Sequence, residues 1–511
     1  MLHTESRQGG KKDYHKITAK ATIAFSLLLI TACSSNQQGF LSSEELKEIR
    51  LEKLYEENME ASRAALDSII APSINDTTLT DYQAAQYYAK RGQWLWMGSP
   101  TQTERADTMV SIVRAQTDSM GFNPEYFLLN EITPLLTKMH EPDSVDNLPQ
   151  TMAQLEYGLT KCYIRYARGQ RFGFTDPKVL FGRNSYDTDT EQPDSSFYEQ
   201  ILRPDTDASA LAALLNSMEP QRKEYRQLKE QLAKDSTDND RQRTLCNMER
   251  LRWRNKKQPA EGDRYIFVNV AAQELWAINQ DSVNNMRICC GKSATKSPLL
   301  TSEINKIDVN PEWGIPQSII RNEMSGRAGD SAYFARRGYY ITDGAGQRVN
   351  PANITSDQLR SGRYSVRQTS GAGNALGRII FRFPNRFSVY LHDTSSPGAF
   401  NNAQRTVSHG CIRLQRPFEI AEFVLPEASQ ETLDSMRISM DLQPKSEWGK
   451  EYIRRNGGRR LISNKRISPV VPVVIDYYTL YPNPKTGIIE KWGDPYGYDK
   501  IILKAIKPFL P

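Results

Sequence analysis

Apolar residues recur every three or four positions along the first half of the chain and every two along much of the second. Leu155, Leu159, Cys162, Tyr163 and Tyr166 fall on one face of a 3.6-residue period, and residues 208–232 and 244–253 repeat the pattern. Such stripes predict amphipathic helices packed on one another. Residues 40–68 are helical in character but charged throughout, which reads as a solvated helix or tether. Near residue 262 the period changes. Residues 265–270, 274–278 and 286–291 are strand-like runs with tight connections, followed by others at 378–383, 388–392, 470–478 and 487–491. Residues 318–368 are rich in Gly and Arg without a clear period, which fits either a lid inserted over the sheet or a long surface loop. The pattern predicts an α+β chain. It divides into a tether at 33–80, a helical domain at 81–258, a mainly β domain at 262–445 with a lid insertion at about 318–368, and an extension at 446–511 whose strands complete the sheet.

Residues 1–32 stand apart. Arg7, Lys11, Lys12, Lys16 and Lys20 precede an apolar run at 21–32. That run is too short for a bilayer, which takes ~20 apolar residues, but suits the core of a signal peptide. It ends Leu29-Ile30-Thr31-Ala32-Cys33, followed by Ser34-Ser35-Asn36. Small residues before a cysteine resemble a bacterial lipoprotein cleavage box, with Cys33 the lipidated residue; a plain secretory leader with a chance cysteine is the alternative. The lipoprotein reading predicts a periplasmic protein anchored by lipid to the envelope, in the outer membrane of a Gram-negative cell. The leader also carries half of the net charge of +6, so the remainder is nearly balanced. With no basic block interleaved with aromatics, nucleic acid is not an expected partner.

Six cysteines are present: Cys33, Cys162, Cys246, Cys289, Cys290 and Cys411. Setting Cys33 aside leaves an odd number without a CxxC pair, which does not suggest a disulfide framework. Adjacent Cys289 and Cys290 would point to opposite faces of a strand and could not easily chelate one ion. Cys162, Cys246 and one of the adjacent pair suit core positions. Only His140, His392 and His409 follow the leader, and no HExxH occurs, so no metal ligand set is expected.

The chemistry concentrates in Ser408-His409-Gly410-Cys411-Ile412-Arg413-Leu414, with Val389-Tyr390-Leu391-His392-Asp393 upstream. A thiol, an imidazole, backbone donors and a fixed cation are the parts of a cysteine nucleophile site. In a strand, Tyr390 and His392 share the face opposite Val389 and Leu391, so the imidazole emerges away from the core. Gly410 allows close backbone approach, and the Gly410 and Cys411 amides would be free to hold an oxyanion. Asp393 should leave on the other face, which argues against a triad acid. Pro417 suits the first turn of a following helix.

These residues, with Tyr390-Leu391-His392-Asp393-Thr394, resemble the catalytic signature of the bacterial L,D-transpeptidases. Gly371 to Arg378, Asn310-Pro311-Glu312-Trp313-Gly314, Tyr163 to Gly169, Asn247 to Trp253 and Asp494-Pro495-Tyr496-Gly497-Tyr498-Asp499 are similar to segments of the large, scaffold-bearing subgroup. The resemblance covers roughly residues 82–500. It implies a thioester on Cys411, His392 as acid and base, and an oxyanion held by Gly410 and Cys411. Arg413, Tyr390, His409 and Ser408 would meet substrate or shape the turn, and no cofactor would be needed. Partners would be peptidoglycan stem peptides, as D-alanine-releasing donor and as amine acceptor, joined 3→3; the resemblance names no protein partner. The small peptidoglycan-binding module common in the subgroup has only residues 234–242 in its place. Water or a free amino acid as acceptor would give a carboxypeptidase or an exchange enzyme. A non-catalytic wall-binding lipoprotein would have no need of a thiol beside a base. In papain-like peptidases the cysteine precedes the histidine, the reverse of the order here.

Overall fold

The structure, a computed structural model, describes residues 42–510 except Thr78 and Asp281. The leader, its cleavage box and Cys33 lie outside the described residues. The chain forms two compact units divided after Leu54. The described part of the first is the opening of a helix, Ser43–Ile70. It starts where it does because Ser42 Oγ accepts from the Glu45 amide at 3.1 Å while Glu45 Oε2 accepts from the Ser42 amide at 2.7 Å, a reciprocal cap.

The second unit holds everything else. Its helical part includes Pro100–Met120, Leu148–Phe172, Lys223–Leu232 and Asp238–Arg252. Side-chain caps from Ser99, Asn147 and Thr237 begin three of these, two with Pro in the first turn. The stripe predicted on Leu148–Phe172 is buried throughout, as is Cys162. Glu156, buried on the same helix, accepts from the Trp96 and Met97 amides at 3.0 and 2.8 Å and from the Tyr88 hydroxyl at 2.5 Å. A buried carboxylate therefore organises the loop around Trp96, which a hydrophobicity pattern does not reveal.

The β part comprises β1 (Arg264–Asn269), β2 (Glu274–Asn279), β3 (Ser282–Gly291), β4 (Leu300–Val309), β5 (Trp313–Gly314), β6 (Tyr339–Thr342), β7 (Arg348–Val349), β8 (Ser365–Gln368), β9 (Ile379–Arg382), β10 (Leu391–His392), β11 (Thr406–Ser408), β12 (Ile412–Leu414), β13 (Asn464–Asp476), β14 (Leu480–Pro482) and β15 (Ile489–Lys491). The main sheet runs β11-β3-β12-β10-β9-β4-β13-β1-β2, and β2 also pairs with β3, so the ring closes as a barrel. Ile266, Val268, Ile288, Ile307, Phe381, Leu391, Ile412 and Val473 fill its interior. Strand β13 sits between β4 and β1, so the C-terminal extension supplies an internal strand, as the sequence suggests.

The stretch read as lid or loop is a folded piece. Strands β5-β8-β6-β7 form their own sheet over a separate core of Ile315, Ile320, Met324, Phe334, Ile341, Ile354, Leu359 and Val366. It begins earlier than residue 318, at Trp313. Strands of two to four residues are too short to show a period, which is why the sequence reads as irregular there.

Candidate active site

Strands β10 and β12 run parallel, with Leu391 opposite Ile412 and His392 opposite Arg413. The Ile412 amide donates to the Tyr390 carbonyl at 3.1 Å. One residue earlier, Cys411 therefore stands beside Tyr390 and diagonal to His392. Leu391 and Ile412 point into the barrel core, so Tyr390, His392, Cys411 and Arg413 share its outer face. Cys411 stands two residues before Arg413, the register partner of His392, so the thiol and the imidazole are diagonal neighbours on one face. Two sequence segments separated by a connection thus meet by pleat alone.

His392 is 3% exposed, and its Nδ1 lies 3.3 Å from the Leu376 carbonyl. A carbonyl only accepts, so Nδ1 carries the proton and Nε2 is left as the base. Burial, then the Arg413 cation, lowers the imidazole to about 4. Burial pushes the Cys411 thiol up to about 11, partly offset by the Tyr390 amide, Arg413 and Arg382. The resting pair is a neutral thiol and a neutral imidazole. Tyr390 packs edge-on to His392 with ring centroids 6.2 Å apart, and the Arg382 guanidinium lies 5.2 Å from the Tyr390 ring.

The turn carrying the nucleophile is braced by three hydrogen bonds from two serine hydroxyls. Ser408 Oγ donates to the Cys411 carbonyl at 2.6 Å and accepts from the Gly410 amide at 3.1 Å. The Gly410 carbonyl accepts from Ser297 Oγ at 2.7 Å, whose own amide donates to the Tyr496 hydroxyl at 3.0 Å. Gly410 itself has φ +116°, a region that side-chain-bearing residues rarely enter. One expectation changes: the Gly410 amide is not free, because Ser408 Oγ occupies it, and the Cys411 amide is the donor left for an oxyanion. His409 is engaged by the inserted subdomain, with Nε2 2.6 Å from Glu323 Oε1.

Asp393 accepts from the Arg378 amide at 2.8 Å and does not orient the imidazole, in keeping with its strand parity. Cys290 enters the barrel core, while Cys289 lies opposite Arg413 on the outer face; all five described cysteines are free. Sequence reasoning missed Ser297, Glu323 and the Leu376 carbonyl. The first two are single residues far from the signature, and the third is a backbone atom whose only signal is the Gly-rich loop at 371–377.

Residues 263–471 match the family model of the L,D-transpeptidase catalytic domain, and residues 82–232 match that of the Scaffold domain. A Haemophilus influenzae protein named "Putative L,D-transpeptidase" is 30% identical over 244 residues, 46% of this chain and 45% of that protein. The match thus spans about half the length of the curated relative.

Proposed function

We propose that this chain, which carries an L,D-transpeptidase catalytic domain behind a Scaffold domain, cross-links peptidoglycan stem peptides 3→3 through a thioester on Cys411. The observation that carries the reading is the shared outer face of Cys411 and His392, with Nδ1 engaged at Leu376 and Nε2 left over. In the first half-reaction, Nε2 takes the thiol proton as sulfur attacks the carbonyl between the third stem residue and D-alanine. The tetrahedral oxyanion meets the Cys411 amide; losing such a donor typically costs ~10²-fold in rate. The imidazolium returns its proton to the leaving D-alanine amine. In the second half-reaction a side-chain amine of a neighbouring stem attacks the thioester. Arg413, beside both groups, disfavours imidazolium and favours thiolate, so its field assists proton return to the amine.

Intact-mass analysis of the soluble protein with a diamino-acid-containing disaccharide tetrapeptide tests this, beside Cys411→Ala. An acyl adduct, D-alanine release and a dimer one D-alanine short of two tetrapeptides are expected. Tripeptide alone would make it a carboxypeptidase, and folded protein without adduct would leave a wall-binding scaffold. The leader supports lipidation at Cys33 and a periplasmic location on a lipid anchor. Metabolic labelling with a fatty acid should mark the wild-type chain and not Cys33→Ala.

A further inference from the structure

A row of side chains leads away from the nucleophile across the outer face of the barrel. Cys411 stands beside Tyr390, whose ring centroid lies 5.2 Å from the Arg382 guanidinium carbon. Arg382 is in register with Lys306, and Lys306 with Arg466. Phe381 and Ile307, next to Arg382 and Lys306 in the chain, fill the barrel core, so the row faces outward. Lys306 and Arg382 share one carboxylate, Asp308, with Lys306 Nζ at 2.8 Å. Four strand spacings of about 4.8 Å put Arg466 roughly 19 Å from Cys411.

Arg466 is also the end of a basic ridge. Residues 445–466 hold eight Lys and Arg against two Glu, a surplus equal to the net charge of +6 of the entire chain. Both Glu are taken, Glu447 by Lys450 at 2.7 Å and Glu451 by Arg454 at 2.7 Å and by Arg455. Among the described residues Arg459 and Arg466 have no acidic partner, and Arg460 bonds the Val309 and Ile462 carbonyls. The helix that opens the ridge, Glu447–Asn456, buries only Gly449, where a Cβ would meet Pro444 and Asp434. Its Trp448, 37% exposed, and half-buried Tyr452 lie stacked, centroids 5.7 Å apart and planes at 26°. The ridge is fixed to the body, since Ser439 Oγ accepts from the Leu461 and Ile462 amides at 2.9 and 3.0 Å.

A fixed cationic surface beside a flat aromatic platform suits a polymer that carries both carboxylates and sugar rings. With three apolar side chains in ten residues, the helix has little to insert among acyl chains. The two residues that precede the third of a stem reach at most about 7 Å, so a ridge that far from the thiol meets material outside the reacting stem. Resting on the transpeptidase reading, we propose that this ridge docks the peptidoglycan polymer beyond the reacting stem. Its arginines take free carboxylates and the Trp448–Tyr452 pair takes sugar rings. The outward row of Arg466, Lys306, Arg382 and Tyr390 then leads from the docked polymer to Cys411.

Two measurements test this. Co-sedimentation of Cys411→Ala protein with intact sacculi reads docking without turnover, and D-alanine release from the disaccharide tetrapeptide by protein with Cys411 intact reads the site alone. R459E/R466E should weaken sacculus binding by about tenfold or more, W448A should weaken it less, and R459K/R466K should restore it. Added salt should release the unsubstituted ridge. The same ridge substitutions, confirmed folded by melting temperature, should leave the rate on the small substrate unchanged. Sacculus binding that survives both R459E/R466E and W448A, a small-substrate rate that falls in step with binding, or capture by phosphatidylglycerol vesicles in place of sacculi would overturn the proposal. Protein that binds sacculi through the ridge yet forms no acyl-enzyme with the disaccharide tetrapeptide would instead fail the transpeptidase reading and leave the docking in place.

Discussion

A base that is neutral at rest sets the pH behaviour of the site. His392 is active as imidazole, and its folded value lies near 4 rather than the usual 6.5. The acid limb of kcat/KM should therefore fall below pH 5, and a limb near 6.5 in a pH–rate profile would contradict the buried geometry. Linkage runs the same way: between pH 6.5 and 4 the unfolded chain takes up a proton that the folded one refuses. Stability is present above that window and weakens as pH falls through it, by about 3 kcal/mol near pH 4 for this group alone. Urea unfolding of His392→Gln against wild type at pH 7 and pH 5 should show the smaller acid loss in the variant. The thiol, raised to about 11, should alkylate slowly at neutral pH without substrate. Ser408→Ala addresses the turn. It strips a partner from both the Gly410 amide and the Cys411 carbonyl in a residue 2% exposed. Leaving buried groups unpaired costs about 1–3 kcal/mol each, so we expect a lower melting temperature and at least a tenfold drop in acylation rate.

At the scale of elements, the pleat explains what the sequence made legible. Strand parity placed His392 and Tyr390 outward and Asp393 on the other side, and the structure agrees because alternation is a backbone property that tertiary context does not change. Leu155 to Tyr166 was readable for the same reason in helical period. The inserted subdomain was not, since β5 to β8 are too short to carry a period and its core is drawn a residue or two at a time from short helices and from β6 and β8. Gly410 was read as a point of close backbone approach, yet its amide was misjudged because the neighbouring Ser408 hydroxyl takes it, a contact that residue order does not show. Gln368 on β8 is the joint between that subdomain and the catalytic loop. Its side chain donates to the Arg337 and Gly373 carbonyls at 2.9 and 3.1 Å and accepts from Ala375. Gln368→Ala should speed amide hydrogen exchange across 371–377 and lower kcat several-fold, while exchange in the barrel core strands stays slow. Unchanged exchange in that loop would mean Leu376 is held by other contacts.

For the whole molecule, the question is whether the helical part and the barrel unfold together. The Asp238–Arg252 helix answers through its buried polar face. Arg250 pairs with Asp499 of the C-terminal extension at 2.7 Å, with the arginine side chain 2% exposed, and the Arg250 guanidinium carbon lies 5.4 Å from the Tyr477 ring centroid. Asn247 Nδ2 donates to Thr479 Oγ1 at 2.9 Å and Asn247 Oδ1 accepts from the Thr479 amide at 3.0 Å. Asp499 also accepts from the Thr479 hydroxyl at 2.6 Å. The extension in turn supplies β13 to the barrel and Tyr496 to the nucleophile turn. Breaking a buried pair on one side leaves an uncompensated charge and costs on the order of 3–5 kcal/mol. Asp499→Asn keeps the shape and removes the charge, leaving one acceptor oxygen where Arg250 and Thr479 now use two. We expect wild type to melt in one calorimetric transition and Asp499→Asn to melt lower or to split in two, the helical part parting from the barrel. A variant that melts as wild type would show that the joint is held by apolar packing, with the polar face a consequence of it.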